Sequence, residues 1–430
     1  MKKKIWVAIA FVLLTAVLGA PVFAGGGSQP SQSSGGGTGG GGVSAITIFH
    51  DKTGAPDYQP YFMKAGDELK AAIGVGLDAV GYPSTDVYTA AIRSALPTNS
   101  APDLFSWWAG AWILDLQKSG LLAPTTAIWD KYKAEYSQGI RDAFTIDGQL
   151  YALPWGLEYW LVYYNKEVYS QLGLKEPANW DEFISNCQKI KAAGKTPLNQ
   201  TIVDEWPAFI TFEEIAMSAD VALYNDLCTG KKKWTDPEAV QLFTIWKDML
   251  DKGYFTDPSV NYFSDVPRLF NDNQLAMIMG GTWFYKTNLI DLGVPESKVG
   301  FFFIKTKDGK NRAILEPSPI LVAKNSPRLD TALKAVDYFM SANGNTFLAK
   351  QVGSFPVNAK SDASFLTPFQ KSILDTVNSG NFTLATRFWE NMPTELMLQV
   401  NQKFQEFIVN RPAPQAICAE IQKLCDAYFK

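Results

Sequence analysis

Residues 147–174 read DGQLYALPWGLEYWLVYYNKEVYSQLGL. From Trp160 to Tyr164 the run is apolar and aromatic, the composition of a buried strand. Just upstream, Pro154 and Gly156 predict a bend instead of a strand interior, because Pro lacks an N–H and Gly weakens a ladder. There Glu158 stands between Trp155 and Trp160. A carboxylate flanked by indoles suits a polyhydroxylated ligand: its oxygens accept from vicinal hydroxyls while the rings cover C–H faces. The plain alternative is an ordinary exposed glutamate.

Outward from this stretch, short apolar runs alternate with amphipathic helices. Downstream, Asn179 caps a helix with Glu182 at the capping-box position. Its stripe is Trp180, Phe183, Ile184, Cys187 and Ile190, and Gly194 stops it. Asp236-Pro237 opens a second helix with Val240, Phe243, Trp246, Met249 and Leu250 on its buried face and Gly253 at its end. Ser326-Pro327 opens a third, carrying Leu333, Val336, Phe339 and Met340. Strand expectations are Ala45–Phe49, Asp103–Ser106, Trp160–Tyr164, Leu275–Met279, Val299–Ile304 and Ile320–Ala323. This alternation predicts an α/β chain with parallel sheets.

At 430 residues the chain is long enough for two to three domains of about 150 residues, and single cores stop growing near ~250–300. With 19% charged, 47% apolar and 13% aromatic residues, global disorder is excluded. A net charge of −4 without basic runs argues against a nucleic-acid partner, whose phosphates demand Lys and Arg. His50 is the one histidine. That removes HExxH zinc chemistry, multi-His metal centres and any Ser-His-Asp triad built on another histidine. No cofactor or metal is expected.

The amino terminus reads as a secretory signal: Lys2–Lys4, an apolar run from Ile5 to about Ala20, and Val22-Phe23-Ala24 before a cut after Ala24. Residues 25–42 hold ten Gly and four Ser and predict a flexible tether spanning roughly 25 Å. Cys187, Cys228, Cys418 and Cys425 leave disulfide pairing open. Cys418 and Cys425 lie in an expected helix, Ala416–Phe429, about 10.5 Å apart along its axis, too far for one bridge. Gly74–Ala79 matches GxGxxA by letter but follows a helical pattern and precedes Gly81-Tyr82-Pro83, so dinucleotide binding is not expected.

Further ring candidates stand at strand ends. Trp107-Trp108 follow the Asp103–Ser106 strand; adjacent indoles point apart, so one core does not easily take both. Gly280-Gly281-Thr282-Trp283 follows Leu275–Met279, placing Trp283 at a sheet's carboxyl edge, where open α/β folds bind ligands. Trp206, Arg387 with Trp389, and His50-Asp51 complete the candidate set. For each, simple core packing is the competing reading.

Three stretches carry a resemblance: PDLFSWWAGAWILDLQKSGLLAP (102–124), the opening stretch with NWDEF (179–183), and NDNQLAMIMGGTWF (271–284). The chain is similar through nearly all of its length beyond the tether to family 1 extracellular solute-binding proteins of ABC sugar importers. That likeness implies an α/β, two-lobe periplasmic binding protein fold of type II, like maltose-binding protein, with a hinge of crossover segments. The crossings map near Trp155–Glu158, Pro317–Ile320 and Gly344–Gly353. The first lobe becomes 43–155 plus 319–350, the second 156–318 plus 351–430.

Implied ligand contacts are His50, Asp51, Trp107, Trp108, Trp155, Glu158, Trp160, Trp206, Gly281, Trp283, Arg387 and Trp389, with Trp107 and Trp108 facing Trp283 and Trp389 across a cleft. The implied role is non-enzymatic capture of a carbohydrate, a di- or oligosaccharide, by a monomer that delivers it to membrane permease subunits. Absence of a Cys at the cleavage site implies a protein free in the periplasm or cell envelope, without a lipid anchor. An exported glycoside hydrolase pairing Glu158 with Glu390 or Asp51 is the alternative.

Overall fold

The computed structural model describes residues 45–50, 58–82, 85–204 and 206–429; the signal and tether (1–42) and Asp51 lie outside them. Eleven strands are described: β1 Ala45–His50, β2 Gly76–Gly81, β3 Leu104–Ser106, β4 Thr145–Ile146, β5 Gln149–Leu150, β6 Ala152–Asn165, β7 Thr196–Leu198, β8 Leu275–Gly281, β9 Val299–Phe302, β10 Arg312–Val322 and β11 Thr383–Thr386. Strands β4 and β5 form a small hairpin; the other nine make one sheet in the order β2-β1-β3-β10-β6-β8-β7, with β11 on β10 and β9 on β6.

Two long strands organise this sheet. β6 is 14 residues long and almost wholly buried, which is why it reads as a continuous apolar run and not as an alternation. It pairs antiparallel with β10 from Ala152 to Trp160, and then with β8 and β9. β10 meets β3 through Ile320–Val322 and β11 through Arg312–Leu315. Both strands are therefore shared by a β2-β1-β3 end and a β8-β7 end.

The expected parallel sheets are corrected to one mixed sheet. Pairs β1–β2, β1–β3, β7–β8 and β10–β11 are parallel, whereas every pair made by β6, and β10–β3, is antiparallel. Helix alternation reports local βαβ units but says nothing of a strand that runs through both ends. The bend expected at Pro154 and Gly156 is also corrected: both lie within β6. The register slips there by one residue, Ser318 facing Gly156 and Pro319 facing Pro154, leaving Trp155 as the extra residue of a bulge. Prolines at 154, 317 and 319 remove N–H donors from this part of the ladder, and the bulge accommodates them.

The helix expected after Asn179 is Trp180–Ala192, with Asn179 Oδ1 accepting from Glu182 N–H at 2.9 Å. Glu182 reaches back one residue further than a capping box requires, to Ala178 N–H. Pro237–Asp251 buries Ala239, Leu242, Phe243, Trp246, Met249 and Leu250, with Val240 only half-buried. The third helix begins at Leu329, not at Pro327. Ser326 is taken elsewhere: its hydroxyl donates to Asp103 and accepts from Arg328 N–H. The carboxyl-terminal helix is Pro414–Tyr428. All four cysteines are buried and free. Among the described residues no helix is long and apolar enough to cross a membrane.

Candidate functional site

β3 ends at Ser106, and the chain then turns on Trp107, whose N–H donates to Pro319 O on β10 at 3.1 Å. Trp107 and Trp108 are 5% and 8% exposed, so both are buried, contrary to the expectation that one core could not take them. A second element supplies the missing cover. The rings of Trp107, Trp108 and Trp112 touch one another, and Trp389 stacks on Trp112 at 5.5 Å and meets Trp108 edge-on at 6.1 Å. Trp112 Nε1–H donates to Trp389 O at 2.8 Å. Close approach is possible because residue 110 is glycine. Its φ of 60° and ψ of −127° suit no side chain, and a Cβ there would lie closer than 3.0 Å to the Glu390 carbonyl oxygen.

At the β8-β7 end, Trp160, Trp206 and Trp283 form a second group, each ring meeting the other two at 6.3–6.5 Å. Trp160 is fully buried, while Trp206 and Trp283 are half-buried. Gly281, the Cα partner of Trp160, leaves room for the Trp283 indole to fold back over the strand end. Phe209 touches Trp160, Trp206 and Trp389. A continuous path of ring contacts thus runs from Trp108 through Trp389, Phe209 and Trp160 to Trp283.

Two glutamates stand opposite each other where β6 and β10 pair: Glu158 is the Cα partner of Glu316, and both are buried. Glu158 accepts from the hydroxyls of Thr282, just beyond β8, and Ser354. Glu316 Oε2 accepts from Trp160 Nε1–H at 2.8 Å and from Trp283 Nε1–H at 3.1 Å. Its other oxygen pairs with Arg387 Nη1 at 2.9 Å. Arg387 also donates from Nε to Glu390 Oε2 at 2.9 Å and lies over the rings of Trp160 and Phe209.

One guanidinium cannot neutralise every carboxylate around it. Burial pushes Glu390 up to about 7 even against Arg387. Burial likewise drives Glu213 far above its ordinary range, although its Oε2 accepts from Phe388 N–H. Arg387 is held above its ordinary value, the surrounding glutamates outweighing burial.

The remaining candidates sit apart from these groups. Trp155 packs on Tyr61 and Phe62, and His50 packs on the same Phe62 at 4.3 Å. Both are buried. Near the Trp107–Trp112 group, a crevice of about 440 Å³ lies among Ala109, Gly110, Asp142, Asp147, Pro317 and Thr386. Among the described residues no cluster could hold a metal ion. Sequence reading missed Trp112, Phe209, Thr282, Glu316 and Ser354. Glu316 had a usable signal, a lone charge inside the apolar run AILEPSPILV; Ser354 had none.

The family of bacterial extracellular solute-binding proteins matches residues 64–372. A binding protein of Brucella abortus (strain 2308) is 23% identical over 383 residues, 86% of this chain and 90% of that one. Among solved structures, the solute receptor AcbH, described as preferring β-D-galactopyranose, superposes with a TM-score of 0.81 at 20% identity, covering 90% of this chain and 98% of its own. A chitin oligosaccharide binding protein superposes at 0.78 with 22% identity, covering 90% and 99%. The fold is that of the maltose-binding-protein-like receptors. With the family match extending over most of its length, this chain belongs to the bacterial extracellular solute-binding proteins.

Proposed function

We propose that the protein captures a di- or oligosaccharide between two lobes, 43–155 with 319–350 and 156–318 with 351–430, and hands it to a membrane permease. One observation carries this reading: indoles from both ends of the sheet converge beside the β6–β10 pair, Trp107, Trp108 and Trp112 from one end and Trp160, Trp206 and Trp283 from the other, with Trp389 against Trp108 and Trp112. Indole faces pack on sugar C–H surfaces, and several of them serve more than one pyranose ring. In this reading the half-buried rings of Trp206 and Trp283 touch the sugar directly, and Trp107, Trp108 and Trp389, buried here, meet it when the lobes part. Trp160, Gly281 and Arg387 shape the platform, Glu158 ties the crossing segments together, and Trp155 and His50 wall the first lobe.

Closure is favoured only by contacts present in the closed form alone, and the chain crosses between the lobes along the proline-interrupted pair of β6 and β10. No bond is broken. Glu158 accepts from two hydroxyls and Glu390 pairs with Arg387, contacts that support a binding role. The protein works as an exported monomer, released by cleavage after Ala24.

A thermal-shift screen over mono- and oligosaccharides tests this, since a ligand of the folded state raises the melting temperature by mass action. A sugar that binds by titration calorimetry should lose roughly 2–4 kcal/mol of affinity in Trp283→Ala, the range of a buried aromatic anchor. No shift with any sugar would refute the carbohydrate reading, and unchanged affinity in the variant would remove Trp283 from the site.

A further inference from the structure

We infer that Glu316 is the positioning residue of the ring platform: one carboxylate oxygen fixes the indoles of Trp160 and Trp283 while the other is anchored by Arg387. This deepens the proposed sugar site and rests on that reading for its consequence in binding.

The geometry is specific. Oε2 offers two lone pairs, and the two indole N–H groups take them at 2.8 and 3.1 Å. Oε1 is held by Arg387 at 2.9 Å, and Glu390 in turn holds Arg387. Arg387 N–H also donates to Leu315 O, the residue before Glu316, at 3.2 Å. The guanidinium is thus fixed from its backbone as well as from its side chain. Every member is buried except Trp283, whose indole is half-buried.

Two consequences follow. Arg387 has its Nε and both terminal nitrogens engaged by Glu316 and Glu390, so it acts on the platform through Glu316 and not by touching a sugar. And Glu316 lies on β10 opposite Glu158, at the crossing of the two ends. The plane of the Trp283 ring is therefore set by the strand that must flex during closure, which couples ring pose to lobe position.

Replacing Glu316 by leucine would orphan a buried guanidinium, so the informative change is Glu316→Gln. A glutamine has one acceptor oxygen and can serve the indoles or Arg387, not both. The protein is labelled with [15N]tryptophan and the indole N–H resonances of the sugar-free chain are recorded, Trp283 being assigned by Trp283→Phe. In Glu316→Gln the Trp160 and Trp283 resonances should move, while that of Trp129, which donates to Ala152 O, should stay. Galactose and chitotriose are then titrated as probes.

With either sugar that binds, Glu316→Gln should weaken affinity on the order of tenfold, the loss of one charge-assisted hydrogen bond. Combining it with Trp283→Phe should give much less than the product of the single effects, since both act on one ring. Unmoved indole resonances overturn the inference, as does a multiplicative double variant. If wild type binds neither sugar, the carbohydrate reading loses these ligands, but the resonances still decide whether Glu316 positions the indoles.

Discussion

Gly110→Ala tests the seam between the two ends of the sheet. Residue 110 precedes the helix Ala111–Lys118 with φ 60° and ψ −127°, a conformation that costs a residue with a Cβ about 1–3 kcal/mol. The added methyl would also lie closer than 3.0 Å to the Glu390 carbonyl oxygen, 3.3 Å from its carbon and 3.5 Å from its Cβ. That obstacle is backbone and cannot rotate away, so the helix start must move off Phe388–Asn391, at about 1–3 kcal/mol for overpacking. The two costs come to roughly 2–6 kcal/mol.

An unfolding entropy of about 2.1 cal/mol/K per residue, over the unit Val43–Lys430, makes each kcal/mol worth only about 1.2 °C. The expected fall in melting temperature by calorimetry is therefore about 2–7 °C. Gly139→Ala is the reference: it lies inside the helix Gln138–Phe144, and a Cβ there meets nothing within 4 Å. It should stabilise by about 0.5–1 kcal/mol. Small-angle scattering should show Gly110→Ala shifted towards a wider separation of the lobes, because Trp112 can no longer reach Trp389 O. A Gly110→Ala protein melting at or above Gly139→Ala would refute the contact between these segments.

Other outcomes can be stated briefly. Arg312 pairs with Glu214 at 2.6 Å with both side chains almost fully buried, and also donates to Ser218 Oγ. Arg312→Met should cost about 3–5 kcal/mol by leaving a buried carboxylate unpaired, and adding Glu214→Leu should recover most of it in urea unfolding. No recovery would show that the pair is not the source of the loss. Glu390 is pushed up to about 7 by burial, so the folded state holds its proton more tightly than the unfolded chain does. Its contribution to stability is complete below the ordinary carboxylate range and is lost as pH rises through about 7. Around it stand Arg387, Glu316 on β10, Glu213 on Phe209–Ala219 and Tyr224 on Val221–Cys228. Glu390→Gln should flatten the fall of melting temperature between about pH 5 and 8, and an unchanged slope would refute the assignment.

Much of the local structure was legible in the sequence. Helix starts at Asn179 and Asp236, and the strands at Ala45, Leu104 and Leu275, follow from caps, periodicity and apolar runs, all short-range properties of the chain. The tryptophans could be picked out because they follow strand ends, which is also local. What only the tertiary structure decided is pairing at a distance. β6 and β10 run antiparallel through both ends of the sheet, and a one-residue slip opposite Pro319 absorbs the prolines that had read as a bend. The same holds for partners. Glu158 reads as an acceptor for ligand hydroxyls until Thr282 and Ser354, 124 and 196 residues away, are brought to it. Glu316 acquires its role only when Trp160, Trp283 and Arg387 arrive from three separate segments. Propensity and period act over a few residues. Burial of charge must be satisfied by whichever donors the fold delivers, and those are fixed by packing, not by neighbours in the chain.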